Sequence, residues 1–326
     1  MIHNLTGPIK AVIHDAEPEP LVQQLKTAHA DIEIKTCNSY DGMAEILNRF
    51  EPDVVYTIRF AGSVGFPTKE LLGASGPKWI SVGGSGVDHL GHWDTQKITV
   101  TNSAGVAANM MAEYVLGSAL NFTLDIPDLM QDKQNRAWQP RVMTPLRGKH
   151  MLIIGLGHTG QAVASLAKAF GMTVTGVRAN PVPTKNVDHV HSSNKLGQLW
   201  EDADIVVVSA PLLESTKGLI GHNAFGAMKS GAIIVDVSRG GIIVEDAMIK
   251  ALQSGKLKGA ALDVFETEPL PENSQIWGLP NLIISPHCSS VYKGWEAASM
   301  QLFCENIQRW KNNEPLINIV DPYRGY

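Results

Sequence analysis

The sequence predicts an α/β protein made of two doubly wound parallel-sheet domains, and three observations predict it. The first is capacity: 326 residues, 44 % of them hydrophobic and 18 % charged, are enough for two buried cores. The second is an alternation of short β-branched runs with helical patterns along most of the chain. The third is the stretch MLIIGLGHTGQAVASLAKAF, residues 151–170, where an apolar run passes through a glycine triplet into a helical repeat.

Between Lys10 and Thr101 the alternation reads KAVIHD, LVQQLKTAHA, IEIKTC, MAEILNRF, VVYTI, KWISV and ITVTN, the pattern of a parallel sheet covered by helices. Arg59 follows VVYTI, where an arginine is either a solvated surface group or one that reaches an anion. Directly after KWISV the chain reads SVGGSGVDHL. Gly83, Gly84 and Gly86 follow the strand directly, so backbone N–H groups there can form a concave nest for a small anion, or the segment is only a flexible connection. Residues 105–124 are small and apolar with almost no charge, as in a helix buried on more than one side. The polar segment MQDKQNRAWQPRVMTPLRGK follows. It is either an arm that packs on another subunit or a surface connection with Trp138 folded back on its own domain.

Residues 151–154 form a short buried strand, and Gly155, Gly157 and Gly160 then have the G-x-G-x-x-G spacing. The first makes the tight turn, the second lets the backbone approach a pyrophosphate, and the third lets helix and strand pack closely. Val163, Leu166, Ala167 and Phe170 share one helix face, and free N–H groups at the helix start face the anion. A second strand, MTVTGV, ends at Arg178. An acidic residue there suits the ribose of NAD, whereas an arginine suits a 2′-phosphate, so Arg178 predicts NADP(H), with Asn180 and Lys185 beside it; the alternative is that Arg178 stacks on the adenine. The apolar runs DIVVVSA, AIIVDVS, GAALDVF and LIISPH follow, separated by helical patterns at FGAMKS and VEDAMIKALQSGKL.

Polar side chains end several of these strands: Arg239 after AIIVDVS, Asp263 and Glu268 in and after GAALDVF, His287 after LIISP. In open α/β sheets ligands bind outside the carboxyl ends of the strands, so these groups converge on one crevice. Singly each has an ordinary alternative, as a core histidine, a solvated carboxylate or a surface ion-pair partner. Together they fit one reaction. A histidine exchanges a proton near neutral pH, and a carboxylate beside it favours the imidazolium and fixes the tautomer. An arginine fork holds a carboxylate and polarises the neighbouring carbonyl. That set suits reduction of a 2-keto acid to a 2-hydroxy acid with hydride from a nicotinamide, and it needs no metal.

The motifs GLGHTG, VSRGGIIVEDAM, KGAALDVFETEPLP and SPHCSS resemble the D-isomer-specific 2-hydroxyacid dehydrogenase family over essentially the whole chain. The segments DLMQDKQNRAWQPR and NEPLINIVDPYRGY resemble its glyoxylate/hydroxypyruvate reductase branch. The resemblance implies a flavodoxin-like substrate-binding domain from residues 1–101 and 288–326, a Rossmann NAD(P)-binding domain from 102–287, and a cleft between them. It implies Arg239, Glu268 and His287 as catalytic residues. Cofactor contacts are implied for Gly155, Gly157, His158, Thr159, Gly160, Arg178, Asn180, Pro211, Thr216, Val237, Ser238 and Asp263, the last on the nicotinamide carboxamide. Substrate contacts are implied for Arg59, Gly84, Ser85, Gly86 and Val87, for Arg239 and His287, and for Trp138 from a partner subunit. The activity implied is NADPH-dependent reduction of glyoxylate, hydroxypyruvate or a similar acid, with NAD(H) as second cofactor, in a homodimer built on the nucleotide domain. A dehydrogenase of another small acid, or a nicotinamide-sensing regulator without turnover, is the alternative. Two positions depart from the family pattern: Asp236 stands where asparagine is common, and Cys288 follows the histidine.

The formal net charge of −5 offers no basic footprint for nucleic acid. No apolar run is long enough to span a bilayer. The start MIHNLTGPIK lacks the pattern of a secretory signal and the RGY ending is no lipidation box, so a cytoplasmic protein is expected. Cys37, Cys288 and Cys304 form no C-x-x-C pair and no ligand cluster, which argues for reduced thiols and against a metal centre.

Overall fold

Twelve short strands form two separate parallel sheets in the computed structural model, which describes residues 7–60 and 65–324. Residues 1–6, on which the expected lack of a leader rests, lie outside the described residues, as do Gly325 and Tyr326 of the RGY ending.

The chain divides into two units, Met1–Val106 with Tyr292–Tyr326, and Ala107–Val291. The expected borders at residues 101 and 287 fall a few residues earlier. The stretch after residue 101 is tied to the first unit by hydrogen bonds. Ser103 N donates to Gly84 O at 2.9 Å, Asn318 Nδ2 to Ala104 O at 2.8 Å, and Tyr292 Oη to Val106 O at 3.3 Å.

In the first unit β1 (Lys10–His14), β2 (Glu33–Cys37), β3 (Val54–Thr57), β4 (Trp79–Val82) and β5 (Thr99–Asn102) pair in the order β2-β1-β3-β4-β5, the flavodoxin-like order. Side chains alternate between faces along each strand, so one strand serves two cores. Ala11, Ile13, Tyr56 and Trp79 meet α1 (Glu19–Ala28) and the C-terminal helix, which supplies Met300, Phe303 and Ile307. Val12, Val55 and Ile80 meet α2 (Met43–Phe50) and α3 (Thr68–Leu71) on the other face. The C-terminal segment therefore returns to cover a face that α1 alone leaves open. At the point where the strand order reverses, His14 Nδ1 lies 2.7 Å from Thr57 Oγ1, and burial lowers the histidine to about 4.

The second unit begins with α4 (Ala108–Thr123) and α5 (Ile126–Gln134). Then come β6 (His150–Ile154), α6 (His158–Ala169), β7 (Thr173–Val177), β8 (His189–His191), β9 (Ile205–Val208), α7 (His222–Ala227), β10 (Ala232–Asp236), α8 (Glu245–Gln253), β11 (Leu257–Leu262) and β12 (Leu282–Ile284). The C-terminal helix of the first unit is α9 (Trp295–Lys311). Strand order is β12-β11-β10-β9-β6-β7-β8, the doubly wound Rossmann order with one strand added at the edge. Met151, Ile153, Val207 and Val235 pack on α4 and α6, and Leu152, Ile154, Val206 and Ile234 pack on α7 and α8. Both faces are apolar, which is why these strands read as continuous hydrophobic runs. α4 is buried through Ala112, Val115, Leu116, Ala119 and Phe122.

Three local expectations change. Phe170, expected to continue the buried stripe of α6, is its C-cap and is exposed, while Ala164 is buried with Val163 and Ala167. The polar segment after α4 holds a helix, α5, which has no buried residue. Trp138 does not fold back on its own domain: it is 97 % exposed. Among the described residues no helix is long and apolar enough to cross a membrane.

Candidate active site

The glycine turn after β6 has a separate steric cause at each glycine. Gly155 has φ +99°, and a Cβ on it would lie 2.7 Å from Ala210 N and Ser209 O, at the end of β9. A Cβ on Gly160 would lie 2.0 Å from Gly155 O, so the first turn of α6 rests on the turn backbone. A Cβ on Gly157 would meet nothing within 4 Å. Gly157 is the N-cap of the twelve-residue α6 and no side chain caps the helix, so the amides of the first turn, including His158 and Thr159, present their dipole to that open space. Two glycines are thus fixed by protein contacts, and the third leaves room where a pyrophosphate approaches a helix start. The turn fits a dinucleotide.

At the next strand end, Arg178 N donates to His191 O at 3.1 Å, which seats the residue between β7 and β8. Arg178 is half-buried, and no described residue forms an ion pair with its guanidinium; Asn180 and Lys185 are exposed beyond it. Such a cation suits a phosphate monoester rather than a ribose diol. Thr216 Oγ1 donates to Pro211 O at 2.7 Å and accepts from Leu213 N at 2.8 Å, closing the loop after β9. Val237 is buried and extends the β10 pairing through its N–H to Val208 O at 3.1 Å. Ser238 is buried too, and its N–H and hydroxyl both donate to Asp236 Oδ1. Burial pushes the Asp236 carboxyl up to about 7, against the pull of the Ser238 bonds and with the charge of Asp263 adding to the rise. An asparagine oxygen would accept the same two bonds.

Arg239, Glu268 and His287 follow the adjacent strands β10, β11 and β12. His287 Nδ1 is 2.9 Å from Glu268 Oε2, with both side chains partly open to solvent. The other oxygen, Oε1, accepts from Phe265 N at 3.0 Å, so the loop's own backbone sets the carboxylate. No described residue bonds His287 Nε2, and that nitrogen is left for a ligand. Arg239 Nη1 donates to Ser238 O at 2.7 Å. Its turn lies directly on the Glu268 loop, because a Cβ on Gly240 would fall 1.8 Å from Phe265 O. An arginine turn, a carboxylate loop and a histidine turn therefore meet at three neighbouring strand ends.

Asp263 holds this arrangement together. It is 2 % exposed, and both its oxygens are taken by the turn that carries His287. Oδ1 accepts from Ser285 Oγ at 2.5 Å and Cys288 N at 2.8 Å, Oδ2 accepts from Ser289 Oγ at 2.5 Å, and Ser289 N bridges the two oxygens at 3.0 and 3.1 Å. Asp263 O also accepts from His287 N at 2.9 Å, and Tyr114 Oη on α4 lies 2.8 Å from Ser285 Oγ. These contacts hold His287 at φ 51°, a left-handed backbone that is uncommon outside glycine. Burial, with the Asp263 charge, raises the Cys288 thiol, so this exposed cysteine is not an activated thiolate. Ser285, Ser289 and Tyr114 were not singled out from the sequence. The serines flanking the histidine in SPHCSS were the available signal.

The other expected substrate residues belong to the first unit. Arg59 is exposed after β3. Carbonyls of Gly84 and Ser85 are tied down by Ser103 N and by Asn102 Nδ2, at 2.9 and 2.7 Å. Among the described residues the amides of Gly84, Ser85, Gly86 and Val87 donate to no other group, as an anion nest requires. No group of three or more His, Cys, Asp or Glu among the described residues could hold a metal ion.

Residues 116–289 match the family described as D-isomer specific 2-hydroxyacid dehydrogenase, NAD binding domain. Over 321 residues the chain is 30 % identical to a D-3-phosphoglycerate dehydrogenase of Methanocaldococcus jannaschii, covering 96 % of this chain and 59 % of that protein, so it spans little more than half the length of that relative. It is 31 % identical over 234 residues to a glyoxylate reductase of Korarchaeum cryptofilum, covering 69 % of each. A solved D-isomer specific 2-hydroxyacid dehydrogenase from Xanthobacter autotrophicus, in complex with NADPH and MES, superposes with a TM-score of 0.84 at 28 % identity, covering 98 % of this chain and 100 % of that one.

Proposed function

The chain belongs to the D-isomer-specific 2-hydroxyacid dehydrogenase family, and from that premise we propose that it is an NADPH-dependent reductase of small 2-keto acids such as glyoxylate or hydroxypyruvate, acting in the cytoplasm. The observation that carries the reading is the Glu268–His287 pair at 2.9 Å. Glu268, oriented by Phe265 N, fixes Nδ1 as the donor to itself, so a proton carried on Nε2 is the one aimed at the substrate. His287 gives that proton to the carbonyl oxygen as the alcohol forms. Arg239 pairs with the substrate carboxylate and draws electron density from the adjacent carbonyl. Within the first unit, the amides of Gly84–Val87 and the exposed Arg59 side chain are suited to an anion such as a carboxylate. When bound, the nicotinamide supplies the hydride, and the open Gly157 turn with the uncapped start of α6 holds its pyrophosphate. Initial rates with NADPH on a panel of 2-keto acids, set beside formate and other acids without a keto group, test the substrate class.

Arg178, with Asn180 and Lys185, supports preference for NADP(H), with NAD(H) as the weaker cofactor. Arg178→Asp removes the phosphate partner and adds repulsion, and the ratio of kcat/KM for NADPH to that for NADH is expected to fall roughly tenfold or more. An unchanged ratio would show that Arg178 does not read the phosphate.

A homodimer built on the second unit is part of the same proposal. Ile126, Met130, Trp138, Val142 and Met143 leave large apolar side chains exposed along α5 and the segment after it, with Trp138 and Val142 more than 90 % exposed. Light scattering is expected to give twice the chain mass, and Trp138→Asp to shift the population towards monomer. A monomeric wild type at micromolar concentration would remove the dimer from the account.

A further inference from the structure

We propose that Glu245 is a positioning residue for the Glu268–His287 pair, an inference that rests on the functional reading above. Glu245 is the first residue of α8 and lies half-buried against the loop that follows β11. Its Oε1 accepts from Glu266 N at 2.8 Å, and Glu245 N donates in return to Glu266 Oε1 at the outer limit of 3.5 Å. The stronger of the two bonds fixes the loop backbone at Glu266, one residue after the amide that orients Glu268: Phe265 N donates to Glu268 Oε1, whose partner oxygen meets His287.

The same stretch of backbone is held from below. Gly240 leaves no space over Phe265 O, so the loop is seated on the arginine turn and cannot sink. Nothing in that contact prevents it from lifting or sliding, and the Glu245 carboxylate supplies the lateral tether. The position in the helix suits an anion, because the first turn of α8 presents the positive end of its dipole. α8 has Val244 at its N-cap and no side-chain capping bond, so Glu245 reaches across to the loop instead of back to its own helix start. Burial raises the Glu245 carboxyl, the bond from Glu266 N opposes this, and the Glu266 charge adds to the rise. Two carboxylates are thus kept together by each other's backbone amides, an arrangement that ties the start of α8 to the loop.

The consequence for the reaction is geometric. If the loop drifts, Glu268 Oε2 leaves Nδ1, the imidazolium loses its partner, and the proton on Nε2 is no longer aimed. Glu245→Ala is therefore expected to lower kcat roughly ten- to a hundredfold, with KM for the keto acid and the Kd for NADPH within about twofold of wild type. Glu245→Gln keeps an acceptor oxygen for Glu266 N and is expected to restore kcat to within about threefold. Should Glu245→Ala fail to fold, Glu245→Asp, one methylene too short for the bond, takes its place. Wild-type kcat in the Ala or Asp variant would overturn the proposal. So would equal losses in the Ala and Gln variants accompanied by equal falls in Tm, since that pattern is structural. His287→Ala separates the two levels: an active His287→Ala defeats the reading of the pair itself, whereas an inactive one beside an unimpaired Glu245→Ala defeats only the tether.

Discussion

Replacing His287 with alanine is expected to lower kcat by about 10²- to 10⁴-fold, the usual contribution of a positioned general acid, while NADPH binds as in the wild type. The separation of effects follows from the structure. The dinucleotide turn depends on Gly155, Gly157 and Gly160 and on the start of α6, and none of these touches the imidazole. Stopped-flow turnover together with fluorescence titration of NADPH checks both halves. Substantial remaining turnover would mean that another group protonates the carbonyl, and lost cofactor affinity would mean that the histidine turn also builds the nucleotide site.

Asp263→Ala is expected to be the second most damaging change, and for a different reason. Removing the carboxylate takes the acceptor from the buried Ser289 amide and hydroxyl and from the part-buried Cys288 amide, and leaves the Ser285 hydroxyl only Tyr114 Oη, at about 1–3 kcal/mol for each buried group left unsatisfied. It also releases the turn that keeps His287 in its left-handed conformation. Both denaturant stability and kcat should fall. Asp263→Asn should recover little, because an amide offers one acceptor oxygen and turns N–H groups towards the Ser289 donors. A variant with wild-type stability and only weakened cofactor binding would return Asp263 to the single role that family resemblance implies. Unchanged cofactor binding with lost stability and turnover would support the anchor.

Both sheets were legible because a parallel strand covered on two faces must be apolar at nearly every position, and runs such as MLII and IVVV stand out against their surroundings. The edge strand β8 was not: HVH is three residues long, carries two histidines and shows no such run. Nor was α5, whose residues bury nothing and so leave no apolar stripe to read. Phe170 misled because helical spacing continues the stripe of α6 past its last residue, where the chain has already turned. At the site, strand ends could be located from the motifs, which is how Arg239, Glu268 and His287 were found. The grip of Asp263 could not be located, since its partners lie 22 to 26 residues away and three of its bonds come from backbone amides. Glu245 escaped for the same reason: a first-turn glutamate usually serves its own helix, and only the fold sets it beside Glu266.

Reduction of a 2-keto acid at the strand ends beside a dinucleotide turn is read out by following NADPH and product together. Purified protein mixed with NADPH and hydroxypyruvate is predicted to consume one cofactor for each keto acid and to yield the D-2-hydroxy acid by chiral chromatography. Tight NADPH binding without consumption, on hydroxypyruvate, glyoxylate and every other 2-keto acid offered, would contradict it and leave a nicotinamide-sensing protein in its place.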